Sequence, residues 1–245
     1  MSKRRYLSLL MATLLVASGA IGAARAASDP NEVFSNRQTA ALAQAVSDND
    51  LSAIRDLAQH GANLADQGEA GVTVLQWAML RDRPDAVALL ADLGADPAER
   101  GYDGQTALHM AAMARDKPYL QILLDHGADP NVRGGPREGS VLSEALMDGN
   151  SDAVLLLLAH HADPNVTDRQ DDTPLHVAAQ ISDYANMLAL LEAGADPTLR
   201  NKQGKTFAAY FAIHPKESIM SDDAKAARGA VQQWLDAHGY SDAKQ

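Results

Sequence analysis

A chain of 245 residues without a single cysteine has no disulfide, thiol nucleophile or thioether lipid anchor available, so its core must hold it together unaided. Its formal net charge of −11 argues against non-specific binding to nucleic acid and against docking on anionic membrane surfaces.

In chain order, Lys3-Arg4-Arg5 is followed by an apolar run from Leu7 to about Ile21 and then by Ala24-Arg25-Ala26. Basic, apolar and small-residue regions in that order predict a secretory signal peptide over 1–26, cleaved after Ala26, because the run is short for a stable membrane span. Arg4-Arg5 is a weak match to a twin-arginine signal, since Ser8 stands where that pathway favours an apolar residue; the general secretory route is expected. Removing residues 1–26 takes away Lys3, Arg4, Arg5 and Arg25 and no acid, which moves the formal charge from −11 to −15. Cysteine-free export behind a compact signal points to a bacterial periplasm.

Residues 27–34, with Asp29-Pro30, read as a short polar leader. Beyond it one slot recurs at Ala40, Thr73, Thr106, Ser140, Thr173 and Thr206, in steps of 33, 33, 34, 33 and 33 residues. Two positions after the slot come Leu42, Leu75, Leu108, Leu142 and Leu175, and the next turn carries Ala45, Ala78, Ala111, Ala145 and Ala178. Twenty-one residues after it stand Gly61, Gly94, Gly127, His161 and Gly194. A period this strict implies one helix-turn-helix unit copied in tandem, because a single unit cannot bury its own apolar face. The units run over 35–67, 68–100, 101–133, 134–167, 168–200 and 201–240, leaving 241–245 as a tail.

Each slot has a physical reading. Thr ahead of Pro-Leu suits a helix N-terminus, where its hydroxyl satisfies orphan donors. Gly127 falls where a left-handed residue ends the second helix, and His161 in that place predicts local strain. The first unit lacks the Thr-Pro pair and reads as a cap. The one insertion lies at Arg133-Gly134-Gly135-Pro136-Arg137 and lengthens a loop. In the sixth unit His214-Pro215 stops the first helix, and Ser221-Asp222-Asp223 caps a last helix with Val231, Trp234 and Leu235 as its apolar stripe.

The motif Thr173-Pro174-Leu175-His176-Val177-Ala178-Ala179, repeated as Thr106-Ala107-Leu108-His109-Met110-Ala111-Ala112, resembles the ankyrin repeat family, and the likeness extends over about residues 35–214. The resemblance implies an all-α ankyrin-repeat α-solenoid of about six helix-turn-helix repeats with protruding β-hairpin-like loops, the fingers. It also implies that His109 and His176 link to neighbouring loops, and that partners are met on the fingers and on the concave side of the first helices.

The search for chemistry is largely negative. Gly204-Lys205-Thr206 imitates the end of a phosphate-binding loop, but Leu199 stands where that motif needs glycine. His160-His161 are adjacent and point apart, a poor start for a metal site. Asp171-Asp172 read as a solvated loop pair. No Gly-x-Ser-x-Gly elbow occurs, and Asn165-Val166-Thr167 matches a glycosylation acceptor that the inferred compartment does not use. Neither an enzyme nor a cofactor or metal is expected.

Binding of another protein is expected instead, by a monomeric module or scaffold. The alternative is an inhibitor or immunity protein that neutralises a toxic enzyme aimed at the periplasm. Carried over by register, the contact slots are Glu69, Arg81, Arg100, Tyr102, Asp103, Gln105, Met113, His126 and Arg133, then Arg137, Met147, Asp148, Arg169, Gln170, Asp172, Gln180, Arg200, Lys202 and Lys205. Tyr102, Met113 and Met147 would give apolar contact, and the finger cations Arg100, Arg133, Arg137, Arg169, Arg200, Lys202 and Lys205 would face an acidic patch.

Overall fold

The computed structural model describes residues 29–213 and 220–240. The signal peptide, the start of the leader, the His214-Pro215 stop and the tail 241–245 lie outside them.

The leader ends in structure. Asp29 accepts the Asn31 N–H, Pro30 sits at the first helical position, and one turn, α1 (Pro30–Val33), results. Those hydrogen bonds from Asn31 hold the Asp29 carboxyl below its ordinary pKa. Val33 and Phe34 are buried, and Phe34 meets the Trp77 ring edge-on with centroids 5.7 Å apart. An unstacked terminal repeat would otherwise leave that apolar end open, so the segment read as polar works as a lid on the first repeat.

The repeats follow as α2 (Arg37–Asp48) and α3 (Leu51–Gln59), α4 (Val74–Leu80) and α5 (Pro84–Asp92), α6 (Ala107–Met113) and α7 (Tyr119–Asp125). Then come α8 (Val141–Asp148) and α9 (Ser151–Ala159), α10 (Pro174–Ile181) and α11 (Tyr184–Glu192), and finally α12 (Phe207–Phe211) and α13 (Asp222–Ala237). The recurring slot is the N-cap: Thr73, Ser140 and Thr173 accept the N–H three residues on. In the first repeat the helix starts earlier, capped by Asn36, so Ala40 lies inside it. Every alanine of the first-helix series is buried, which brings neighbouring backbones close.

The chain divides within the third repeat into two compact units. The first holds the chain through Ala111 together with Gln121–Ala128; there α2 packs on α3 and α4, and α3 on α5, around Leu42, Ile54, Leu75, Trp77 and Leu90. The second holds Ala112–Leu120 and everything from Asp129. Its first helices α8, α10 and α12 pack in one layer and its second helices α9, α11 and α13 in another, around Leu142, Leu157, Leu175, Leu190, Phe207 and Val231. Of the last helix's stripe, Val231 and Leu235 are buried, whereas Trp234 is half-buried and stacks on His238 at 4.0 Å.

Fingers at four repeats close with the same hydrogen bond, Gly68 N to Val72 O, Gly101 N to Gln105 O, Asp168 N to Asp172 O and Asn201 N to Lys205 O. The longer finger forms a two-residue hairpin, β1 (Arg133–Gly134) against β2 (Gly139–Ser140). At the second-helix ends Gly61, Gly94, Gly127 and Gly194 have φ of 89°, 92°, 82° and 95°, and His161 takes φ 62° in their place. A left-handed L-residue there costs about 1 kcal/mol. His161→Gly is expected to stabilise the protein by that amount, read as a raised urea midpoint; an unchanged or lowered midpoint contradicts the strain.

Candidate protein-binding surface

The fingers are fixed from behind by one position, three residues after the cap. His176 Nε2 lies 3.0 Å from the Lys205 carbonyl of the next finger, while its Nδ1 faces the Thr173 hydroxyl at 2.8 Å. His109 makes the same contact with Thr106. In the second repeat Gln76 takes over: its Oε1 accepts the N–H groups of Thr73 and Tyr102, and its Nε2 donates 2.9 Å to the Gln105 carbonyl. An amide thus spans the same gap as an imidazole, a role not legible from residue type. His176→Ala is expected to cost about 1–3 kcal/mol by stranding buried groups, and His176→Gln under 1 kcal/mol; equal losses in urea unfolding would refute the equivalence.

The first unit places its candidates unevenly. Glu69, Arg100, Asp103 and His126 are exposed, and Gln105 is half-buried. His126 Nε2 stands 3.2 Å from Asp92. Arg81 lies half-buried with its guanidinium 3.9 Å above the Trp77 ring; burial, then nearby Arg83, lowers its pKa from the ordinary arginine value. Tyr102, expected to offer apolar contact area, is only 8 % exposed. Its main-chain N–H donates to Gln76, and with the residue buried it offers little of the apolar contact area expected of it.

In the second unit Met113 is half-buried and Met147 is 36 % exposed. Arg133 is exposed, its Nε donating to the Glu138 carbonyl at 3.0 Å. Arg137 is half-buried and turned inward: it donates to Asp168 Oδ2 through Nε at 3.1 Å and Nη2 at 2.7 Å, and its Nη1 lies 3.3 Å from Met147 Sδ. Asp168, which the sequence did not single out, is buried and also accepts the N–H groups of Gln170 and Asp172.

Asp172, expected at solvent, is 5 % exposed and accepts from Asn201 Nδ2 at 2.7 Å and Gln180 Nε2 at 3.0 Å. Gln180 belongs to the same repeat and Asn201 to the next, and Arg137 Nη2 of the preceding repeat stands 3.8 Å from the Asp172 carboxylate. Asp172 therefore stiffens the finger instead of meeting a partner. Arg169 and Gln170 are exposed, with Arg169 Nη2 3.3 Å from Glu138. Exposed Asp148 pairs with Arg115 at 3.1 Å. Gln180, Arg200, Lys202 and Lys205 are exposed as well.

Glu144, on α8, has its pKa raised by burial, which outweighs Arg137; Asp148 adds to the rise. A raised folded-state pKa means that protonation stabilises the fold. That contribution is complete below the ordinary glutamate pKa of about 4 and is lost as pH rises through the folded value. Glu144→Gln is expected to raise the melting temperature at pH 8 and to lose the advantage by pH 4; a constant difference across that range would contradict it.

Among the described residues no group of three or more His, Asp and Glu could hold a metal. No helix among them is long and apolar enough to cross a membrane. Asn165 of the glycosylation-like triplet is engaged between repeats: Oδ1 accepts the Asp196 N–H at 2.8 Å and Nδ2 donates to the Gly194 carbonyl.

Residues 42–134 match a family model of three ankyrin repeat copies, and 142–191 one of many copies. Protein PhlB of Serratia liquefaciens is 41 % identical over 181 residues, 73 % of this chain and 79 % of that protein. Among solved structures, a chain from the complex of the predatory endopeptidase Bd0816 with immunity protein Bd3460 from Bdellovibrio bacteriovorus aligns with a TM-score of 0.58. It is 23 % identical and covers 79 % of this chain and 97 % of that one. The ankyrin repeat domain of Bcl-3 gives 0.52, also at 23 %, covering 78 % and 97 %. Capped helix, inter-repeat His or Gln and left-handed terminus recur along this chain in steps of 33 or 34 residues, and the chain belongs to the ankyrin repeat family, whose repeats bind other proteins and are generally not catalytic.

Proposed function

We propose that this chain is a non-catalytic protein-binding module or scaffold, exported to the periplasm through cleavage after Ala26. What carries the reading is a division of labour along each repeat. Caps, alanines, His or Gln and the finger carboxylates Asp168 and Asp172 are buried and bonded to one another. Arg133, Met147, Arg169, Gln170, Arg200 and Lys202 are exposed at the surface of the same framework. Exposed charged and apolar side chains carried on a bonded, buried framework suit protein recognition.

The test is capture from periplasmic extract by residues 27–245, beside a variant carrying Arg133→Glu, Met147→Ser and Arg169→Glu. A partner held by the wild type and lost by the variant supports the reading; no partner, or equal recovery, counts against it. Expression of the full chain with osmotic-shock fractionation checks the compartment: a product beginning at Ala27 in the shock fluid is expected, and an uncleaved cell-retained chain would overturn the export.

A second reading, an inhibitor or immunity protein against a toxic periplasm-directed enzyme, draws support from the fold shared with the endopeptidase–immunity complex. It predicts that the captured partner is an enzyme whose activity falls on binding.

A further inference from the structure

We propose that the last finger and the adjoining first-helix ends of the second unit form a docking strip for an acidic segment of a partner protein that also carries aliphatic side chains. The inference rests on the protein-binding reading and names the partner's chemistry.

The finger Arg200–Lys205 carries three exposed cations in six residues of a chain whose net charge is −11. Arg200 Nη1 donates to the Gly204 carbonyl at 2.7 Å, Lys202 Nζ donates to the Arg169 carbonyl, and Lys205 Nζ stands 5.3 Å over the Tyr210 ring. Carbonyls and a ring face orient these cations without cancelling their charge. Among the described residues none of the three pairs with a carboxylate. Of the acids on the preceding finger, Asp172 is buried on Asn201 and Gln180, and half-buried Asp171 remains; Asp196, four residues before Arg200, accepts the N–H and hydroxyl of Thr198.

The first-helix ends of the same unit carry exposed aliphatic side chains within one residue of a common register. Ile181, eight residues after Thr173, is 48 % exposed at the end of α10; Ile213, seven after Thr206, is 70 % exposed just beyond α12, and α10 packs against α12. Met147, seven after Ser140, holds the place of Ile213 on α8, which packs against α10. Between finger and helix, the Tyr210 hydroxyl accepts from Asn201 Nδ2 at 3.0 Å and its ring meets His176 edge-on at 6.3 Å. The floor is therefore set before a partner arrives, which lowers the ordering cost of binding.

Charge and apolarity together select the occupant. A polyanion such as nucleic acid would use the cations but leave the isoleucines in water. A segment in which leucines are spaced among glutamates satisfies both halves.

Fluorescence anisotropy with such a labelled Glu/Leu peptide tests the strip on residues 27–245, with an all-glutamate peptide, a Lys/Leu peptide and single-stranded DNA as comparators. Binding of the Glu/Leu peptide alone is expected. The triple variant Arg200→Glu, Lys202→Glu, Lys205→Glu and the double variant Ile181→Ser, Ile213→Ser should each weaken it by about tenfold or more. Arg200→Gln with Lys202→Gln gives a milder neutralised form should the reversal unfold, and melting curves check all of them. Unchanged affinity in folded variants, or equal binding of all-glutamate peptide or DNA, overturns the proposal. Capture of a periplasmic partner that survives the triple reversal sinks the strip alone, whereas failure to capture any partner removes the underlying reading.

Discussion

Trp77→Ala is expected to cost about 3–5 kcal/mol, with the damage concentrated in the first two repeats. The indole is fully buried, and its Nε1–H is shared between the Ala43 carbonyl and the Ser47 hydroxyl, each at 3.0 Å. Phe34 closes on its edge and Arg81 lies over its face. One side chain thus joins α1, α2 and α4, and nothing precedes α1 to take up the lost contacts among the described residues. Because repeats are stabilised mainly by their neighbours, the terminal repeat should open before the rest. Urea unfolding followed by circular dichroism should lose two-state character, and hydrogen exchange should accelerate in α1 to α3 while α9 to α13 keep their protection. Trp77→Phe, which keeps most of the volume but removes the donor, should cost about 1–2 kcal/mol. A loss below 1 kcal/mol for the alanine variant, or uniform exchange along the chain, would show that the first repeat is not held through this residue.

What could be read from the sequence, and what could not, follows the reach of each interaction. Caps, small residues on the first helices and the left-handed ends are local, decided by residues within a turn, so Thr73, Ala145 and His161 were legible at once. Gln76 was not, because its equivalence to His176 lies in the carbonyl that each reaches, 29 residues on. Asp172 and Tyr102 were misplaced for the same reason. Register puts both on a finger, but Asn201 of the next repeat holds the Asp172 carboxylate, and the Tyr102 main chain donates to Gln76 of the repeat before. Phe34 shows the converse case: a segment polar by composition ends in one large side chain that a terminal repeat needs. The candidate surface was thus legible as a set of slots, while which slots face solvent depended on bonds between repeats.

Asp168 offers the sharpest test of that inter-repeat wiring. Its Oδ1 accepts the N–H groups of Gln170 and Asp172, and its Oδ2 takes both guanidinium donors of Arg137 from the preceding finger. At the same slot of the next repeat, Asn201 Oδ1 accepts the N–H groups of Gln203 and Lys205 with no charge involved. A neutral amide therefore suffices for the backbone half of the task. Asp168→Asn should lose only the ion pair, and because the Arg137 side chain is 42 % exposed, water replaces much of it; a cost of about 1 kcal/mol is expected. Asp168→Ala also strands the buried N–H groups, and about 3 kcal/mol should be lost. Asp171→Asn, which removes the neighbouring charge but keeps a residue suited to the left-handed φ of 59° there, should change stability little. Urea unfolding of the three variants separates the contributions. If Asp168→Asn proves as damaging as Asp168→Ala, the charge on the carboxylate is what holds successive fingers together; if neither differs from wild type, the fingers are set by the helices beneath them and the buried network follows from the fold without supporting it.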